Sequence, residues 1–457
     1  MAPSLEPRTA EAAAWAGERP AASGDYRRDA SAFSRFWQAG GALLTCLPAK
    51  PRRTVDEAHA AELVLRIGRE TRERFLAVHA AAVYRELTRE CTDFIRVEKL
   101  VFEAARLVPG LTPTVAQVAA ETELPQRDKD GLEVDQGIFL SRVLADPAAG
   151  THLCHAMLLP RPEALARLPE FRAAGRLDLG AATIERRGKA AVVTLRNPRF
   201  LNAEDEATID AAETAYDLAI LDPETDIAVL RGDTVEHPKY RGRRVFSAGI
   251  NLTHLYHGKI SYVWYMKRDL GPVNKILRGL ARPDASPDEL EGGTLEKPWI
   301  AAVEAFAIGG GCQYLLAMDY VVAAADAYMT LPARKEGIIP GAANLRLTRF
   351  TGARIARQAI LYGRRLDCDS PEGRLICDEI APSGSMDAAI DGVVEGFTSA
   401  GVVSAAGNRR AFRVSEEPLD LFRRYMAVYA REQAYCHFSP ALISNLERNW
   451  NAQQRRA

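Results

Sequence analysis

The chain has 457 residues, 47% of them apolar and 26% charged, with a formal net charge of −1. These values fit a globular protein of two or three domains and exclude the basic surplus that nucleic-acid binding requires. No apolar run approaches the length of a membrane span, and the N-terminus lacks the charged-then-apolar pattern of a signal peptide, so a cytoplasmic protein is expected. The seven cysteines are scattered and form no C-x-x-C pair, which predicts reduced and mostly buried thiols.

Residues 1–30 are rich in Ala, Glu, Arg and Pro with little periodicity and read as a disordered or loosely attached arm. Residues 31–181 read as an all-helical N-terminal domain. Thr54 with Glu57 makes a capping box, Leu76, Val83, Leu87, Cys91 and Phe94 follow at helical spacing, and Gly68 is the only glycine between Val55 and Val108. Shorter helices are predicted at Val115–Thr122 and Pro162–Arg172. From Ala182 the texture changes. The runs Ala191–Leu195 and Ile227–Leu230 predict strands, with a helix between them over Glu204–Leu221, which is the alternation of an α/β core over residues 182–380. Helices are expected again at Ala353–Tyr362, Leu419–Tyr435 and Pro440–Ala452, the last two within a C-terminal helical region at 381–457.

Two stretches carry the chemistry. Lys297 to Gln313 opens as a buried apolar strand and passes through Gly309-Gly310-Gly311 into a predicted helix over Gln313–Met318. Such a junction leaves backbone N–H groups free at the helix start, where they favour negative charge. Upstream, Arg244-Val245-Phe246-Ser247-Ala248-Gly249-Ile250-Asn251-Leu252 has the same strand-then-glycine character. Brought together, the two turns would supply two N–H donors to one oxygen, an oxyanion hole.

In this order the two stretches resemble the signatures of the crotonase (enoyl-CoA hydratase/isomerase) superfamily, and the resemblance runs from about Ala182 to Ile380. Ala305 departs from it, standing where the second signature usually has glycine. The resemblance implies a spiral of strand–strand–helix units, assembly as trimers or dimers of trimers, and an acyl-CoA thioester substrate whose enolate is held by the N–H groups of Ile250 and Gly310. Ala248, Gly249, Asn251, Leu252 and Gly311 belong to the same two turns and are expected at the substrate.

Hydratases of the superfamily carry one catalytic glutamate directly after the Gly-Gly-Gly-Cys run and a second after the next proline. This chain has Gln313 and Ala333 there, with Glu336 displaced along what reads as a strand. A positioned acid or base contributes about 10²–10⁴-fold, so efficient water addition is not expected. Gln313 offers a neutral amide, and Ile250, Leu252 and Ile338 surround the thioester position with apolar groups. This combination, with the long helical extension, is similar to the metal- and cofactor-free branch of the superfamily that reacts an arylacetyl-CoA enolate with O₂. That resemblance implies an arylglyoxylate and free CoA as products, in glycopeptide-antibiotic biosynthesis. Glu204 and Arg268, the latter on a helix expected after Ser261, are placed near ring hydroxyls. His237, Arg244 and Arg334 are candidates for the CoA nucleotide.

No metal or organic cofactor is expected. His152/His155 and His254/His257 lack a carboxylate at the spacing of an iron triad, and no dinucleotide or nucleotide motif occurs. Two other readings stay open: another enolate-forming acyl-CoA enzyme (isomerase, hydratase or thioesterase) with its base at Glu336 or Glu204, and a catalytically silent CoA-binding protein.

Overall fold

The structure, a computed structural model, describes residues 7–382 and 384–456. Eight helices come first: α1 (Pro7–Gly17), α2 (Tyr26–Thr45), α3 (Val55–Leu87), α4 (Val97–Leu107), α5 (Val115–Thr122), α6 (Val134–Ala145), α7 (Pro147–Leu158) and α8 (Pro162–Ala174). The capping box at the head of α3 forms as read: Thr54 accepts from the Glu57 N–H and Glu57 accepts from the Thr54 N–H.

Where the structure describes it, the expected arm is ordered, which corrects that reading. Residues 1–6 lie outside the described residues. The carboxylate of Asp56 accepts the N–H groups of Arg8 and Thr9, both at 2.9 Å, and so caps α1 from a neighbouring helix. Trp15 stacks on Phe36 with ring centroids 4.3 Å apart and donates its Nε1–H to the Phe36 carbonyl. These anchors come from distant residues, so local composition could not show them.

The middle of the chain supplies β1 (Arg176–Asp178), β2 (Ala182–Arg187), β3 (Ala190–Leu195), α9 (Ile209–Leu221), β4 (Ile227–Gly232), α10 (Leu252–Tyr256), α11 (Tyr262–Leu270) and α12 (Pro272–Arg278). Then follow β5 (Trp299–Val303), β6 (Phe306–Ile308), α13 (Gly310–Leu315), β7 (Tyr320–Ala324), β8 (Tyr328–Thr330), α14 (Ala333–Glu336), α15 (Ala343–Arg357), β9 (Leu366–Asp367) and β10 (Glu379–Ala381). A seven-stranded sheet runs in the order β1-β2-β3-β4-β5-β7-β10, antiparallel at its β1–β3 edge and parallel from β3 onward. A second sheet, β6-β8-β9, takes the alternate strands. The units β5-β6-α13 and β7-β8-α14 are thus successive strand–strand–helix turns of a spiral. Every residue of β5 is buried, because a parallel strand inside such a sheet is covered on both faces.

Four helices close the chain: α16 (Met386–Thr398), α17 (Val403–Glu416), α18 (Leu419–His437) and α19 (Pro440–Trp450). One apolar cluster joins Phe75 and Phe139 of the N-terminal helices to Met266 of α11, Met426 of α18, and Ile250 and Ile338. The N-terminal helices are also locked to the α/β core by charge. Arg96 and Arg161 reach Glu213 of α9 at 2.9 and 3.4 Å, and within the core Lys275 on α12, with no solvent exposure, bonds Glu213 at 2.8 Å and Asp217 at 2.7 Å. The α9 helix begins at Ile209, later than read, because residues 204–208 form the turn that holds Glu204 beside Ile250.

Candidate active site

The two glycine turns meet backbone to backbone. Ser247 pairs with Ala307 of β6, and the Ile308 N–H donates to the Ser247 carbonyl at 3.0 Å. Gly249 has φ +79°, and a side chain there would put its Cβ 2.6 Å from the Ile308 carbonyl oxygen and 2.8 Å from the Gly310 nitrogen. Only glycine allows that approach. The N–H groups around the turn are taken: Gly249 donates to Ser247 Oγ at 3.0 Å and Asn251 to the Glu204 carbonyl at 2.8 Å. The N–H of Ile250 and that of Gly310, the first residue of α13, have no acceptor among the described residues. Two free donors on touching turns are suited to bind one oxyanion. The helix starts at Gly310 and not at Gln313, so the glycine run is itself the first helical turn. Ala305 has φ +63°, a left-handed conformation that glycine adopts without cost, which accounts for the glycine usual at this position.

Beside Gly310 lies a buried polar wall centred on Arg268 of α11. Its Nε contacts both Glu204 oxygens at 3.0 Å, Nη1 donates to Gln313 Oε1 at 2.7 Å and to Asp269 Oδ1 at 3.1 Å, and Nη2 donates to the Gly310 carbonyl at 2.8 Å. The Arg268 guanidinium sits 4.7 Å from the Tyr314 ring centroid, and the Tyr314 hydroxyl donates to Glu204 at 2.7 Å. Glu204 and Arg268 are therefore partners in one buried ion pair and not separate solvated charges. A guanidinium only donates, so the Gln313 oxygen must face it, which leaves the amide nitrogen free of any acceptor among the described residues.

A cavity of about 30 Å³ borders these groups, room for about one water-sized molecule. Of the residues singled out from the sequence, Ile250, Gly310, Gln313, Arg268 and Ile338 line it. Trp264 and Tyr265 of α11 and Tyr429 of α18 also line it. These three aromatics were not singled out from the sequence, since nothing local distinguishes them from core residues.

Glu336 also lines the cavity, and here the sequence reading needs correction. The stretch after Pro332 is a helical turn, α14, and not a strand. Positions 333 and 336 share a helix face, so the carboxylate returns to the side where Ala333 stands. No described residue donates a hydrogen bond to it or pairs with it, and burial alone pushes its carboxyl up to about 7. Asp269 is also pushed up by burial but has Arg268 beside it and the Tyr429 hydroxyl as a hydrogen-bond partner.

Other candidates lie elsewhere. Asn251 caps α10, accepting from the His254 N–H at 3.2 Å and donating to Asp205 at 2.9 Å, and Leu252 packs on the helical cluster without reaching the cavity. Gly311 has its Cα against Ser247, so it closes the two turns and does not face the cavity. Ala248 is likewise absent from the lining, its N–H donating to the Leu201 carbonyl. His237 is exposed and accepts from the Lys239 N–H, Arg244 bonds the Gly232 carbonyl at 3.2 Å, and exposed Arg334 lies 5.7 Å from the Tyr362 ring. None of these three lines the cavity. His152 bonds the Tyr84 hydroxyl, His155 the Arg282 carbonyl and His257 the Arg455 carbonyl, while His254 contacts Asp205 at 3.1 Å. Among the described residues no helix is long and apolar enough to cross a membrane.

A spiral of strand–strand–helix units whose touching glycine turns hold two free N–H donors defines a crotonase-type fold and site. Residues 185–398 match the family model described as enoyl-CoA hydratase/isomerase. The (3,5-dihydroxyphenyl)acetyl-CoA 1,2-dioxygenase of Amycolatopsis orientalis is 47% identical over 407 residues, 89% of this chain and 92% of that protein. This chain belongs to the enoyl-CoA hydratase/isomerase (crotonase) family. The short-chain-enoyl-CoA hydratase of Clostridium acetobutylicum is 30% identical over 195 residues, 42% of this chain and 66% of that protein. A crystal structure of an enoyl-CoA hydratase from Mycobacterium avium subsp. paratuberculosis K-10 aligns over 59% of this chain and 98% of that one, at 21% identity and a TM-score of 0.48.

Proposed function

We propose that this chain is a dioxygenase that converts (3,5-dihydroxyphenyl)acetyl-CoA and O₂ to (3,5-dihydroxyphenyl)glyoxylate and CoA, with no metal or organic cofactor, in glycopeptide-antibiotic biosynthesis. The observation that carries this reading is extent. Similarity to the Amycolatopsis dioxygenase runs through 89% of the chain, whereas the clostridial hydratase matches 42% of it. Gln313 and Ala333, standing where hydratases hold glutamates, support the same reading.

The thioester oxygen is bound by the N–H groups of Ile250 and Gly310, each such donor being worth about 3–4 kcal/mol in a comparable site. Loss of one α-proton leaves an enolate whose carbon bonds O₂. The terminal peroxide oxygen closes on the thioester carbonyl carbon and the O–O bond breaks. The second α-hydrogen leaves as a proton and CoA leaves as its thiol, so the thioester plus O₂ balances the keto acid plus CoA. Arg268 and its partner Glu204 lie near the ring hydroxyls, and the Gln313 amide turns its N–H donors toward the reacting carbon. Assembly follows the family, as a trimer or dimer of trimers, in the cytoplasm.

Metal-stripped protein given (3,5-dihydroxyphenyl)acetyl-CoA should consume O₂ and release CoA in equal amounts. No O₂ uptake, with hydration of an enoyl-CoA instead, overturns the proposal. That second reading, an enolate-forming hydratase or isomerase, draws its support from the unpaired Glu336 carboxylate at the cavity.

A further inference from the structure

We infer that Glu336 is the group that takes the α-proton of the acyl thioester. The inference rests on the enolate chemistry of the proposed function and names the acceptor that chemistry requires.

Four carboxylates stand around the two turns and the cavity, and three are committed, Asp205 to the Asn251 amide at 2.9 Å and to His254 at 3.1 Å. Glu204 has both oxygens on Arg268 and also accepts from the Tyr314 hydroxyl. Its lone pairs are occupied, and protonating it would leave a buried guanidinium short of charge. Asp269 is held by Arg268 at 3.1 Å and by Tyr429. Glu336 alone has neither a cation nor a donor among the described residues. It is not stranded in a packed core, for it lines the same cavity as Ile250, Gly310 and Gln313. A Cβ at Gly309, the residue that opens the second turn, would lie 4.0 Å from its Oε1. The carboxylate therefore sits beside the turn that carries the free Gly310 N–H.

The position also explains Ala333. A short residue there leaves open the helix face on which Glu336, one turn later, reaches the cavity. An acid kept neutral by burial until it ionises near neutral pH is matched to abstracting a weakly acidic proton. In the step itself the α C–H bond breaks, its electron pair forms the enolate held by the two N–H groups, and the proton comes to rest on a Glu336 oxygen. Tyr265, whose hydroxyl is influenced by the Glu336 charge, lines the same space.

The test separates proton removal from oxygen chemistry. Full-length protein is incubated with (3,5-dihydroxyphenyl)acetyl-CoA in deuterated buffer without O₂, and deuterium at the α-carbon is followed by mass spectrometry. Wild-type protein should exchange the α-hydrogens. Glu336→Gln should slow exchange by about 10²-fold or more, with O₂ uptake falling in parallel and anaerobic substrate affinity within about threefold by calorimetry. Glu336→Met, similar in volume and without a carboxylate, provides a second variant should the first not fold. Wild-type exchange in either folded variant overturns the assignment. Exchange that depends on Glu336 in a protein that never consumes O₂ would instead overturn the dioxygenase reading and leave Glu336 as the acceptor.

Discussion

Arg268 donates through Nη1 to the Oε1 of Gln313 at 2.7 Å, and this bond fixes which end of the Gln313 amide faces the cavity. The oxygen is committed to the guanidinium, so only N–H donors remain for the cavity. A neutral donor stabilises an enolate or peroxide and attracts no proton. Gln313→Glu would add a carboxylate to a guanidinium that already serves Glu204 and Asp269, beside an anionic intermediate. Unit charges a few ångströms apart at an effective dielectric near 20 interact by about 3–4 kcal/mol, a penalty that Arg268 partly offsets. O₂ uptake should fall about 10- to 100-fold, with thioester hydrolysis or α-proton exchange rising relative to it. Unchanged O₂ uptake in an oxygen-electrode assay would mean that the residue does not touch the reacting centre.

Arg268 itself serves five acceptor atoms in Glu204, Asp269, Gln313 and Gly310. Arg268→Ala should destabilise the fold by about 3–5 kcal/mol, because it leaves buried carboxylates uncompensated. Arg268→Lys keeps the charge but not the fork, and should lose activity at a smaller cost in stability. Denaturant midpoints with O₂-uptake rates on both variants check this.

Glu336 carries a stability cost that depends on pH. Its carboxyl is pushed up from 4.5 to about 7 in the folded chain, so the folded state holds this proton more tightly than the unfolded state. Stability is therefore unaffected below about pH 4.5, declines as pH rises toward 7, and above 7 is lower by a cost on the order of 3 kcal/mol. Tyr265, the titratable neighbour, is pushed above its ordinary value first by burial and then by the Glu336 charge, so it stays neutral across this window. Glu336→Gln should raise the Tm at pH 8 and leave it nearly unchanged at pH 4.5. A lower Tm at pH 8 would contradict an unpaired carboxylate.

Gly249→Ala tests the two turns. The added Cβ would meet the Ile308 carbonyl at 2.6 Å and the Gly310 nitrogen at 2.8 Å, at a φ that alanine tolerates poorly. The turns must separate, so turnover should fall at least about 10²-fold. Binding of free CoA, measured by calorimetry, should change far less. Activity within tenfold of wild type would show that the N–H pair does not hold the thioester oxygen.

The bonds from Arg96 and Arg161 to Glu213, a carboxylate that Lys275 holds from within the core, predict that the N-terminal helices and the α/β core unfold together. A single calorimetric transition is expected, and Lys275→Met should lower its midpoint by several degrees. Limited proteolysis that released a stable fragment ending near Ala182 would refute the coupling.

Local patterns in the sequence determined a large part of this protein. The capping box at Thr54, the helix at Val115–Thr122, the apolar run of β5 and the two glycine turns are each specified by residues within a few positions of one another, which is why they are legible without a structure. The exchange of Gln313 and Ala333 for glutamates is equally local. Burial and partnership, by contrast, were decided by tertiary structure. Asp56 orders α1 from a separate helix, α11 carries Arg268 into contact with Glu204 across the site, and α18 brings Tyr429 over the cavity. Glu336 changed from an ambiguous charge to an unpaired carboxylate at the cavity beside the glycine turns only once α14 proved helical. The physical reason is that desolvation and charge pairing depend on every group within a few ångströms, and most of those groups are distant along the chain.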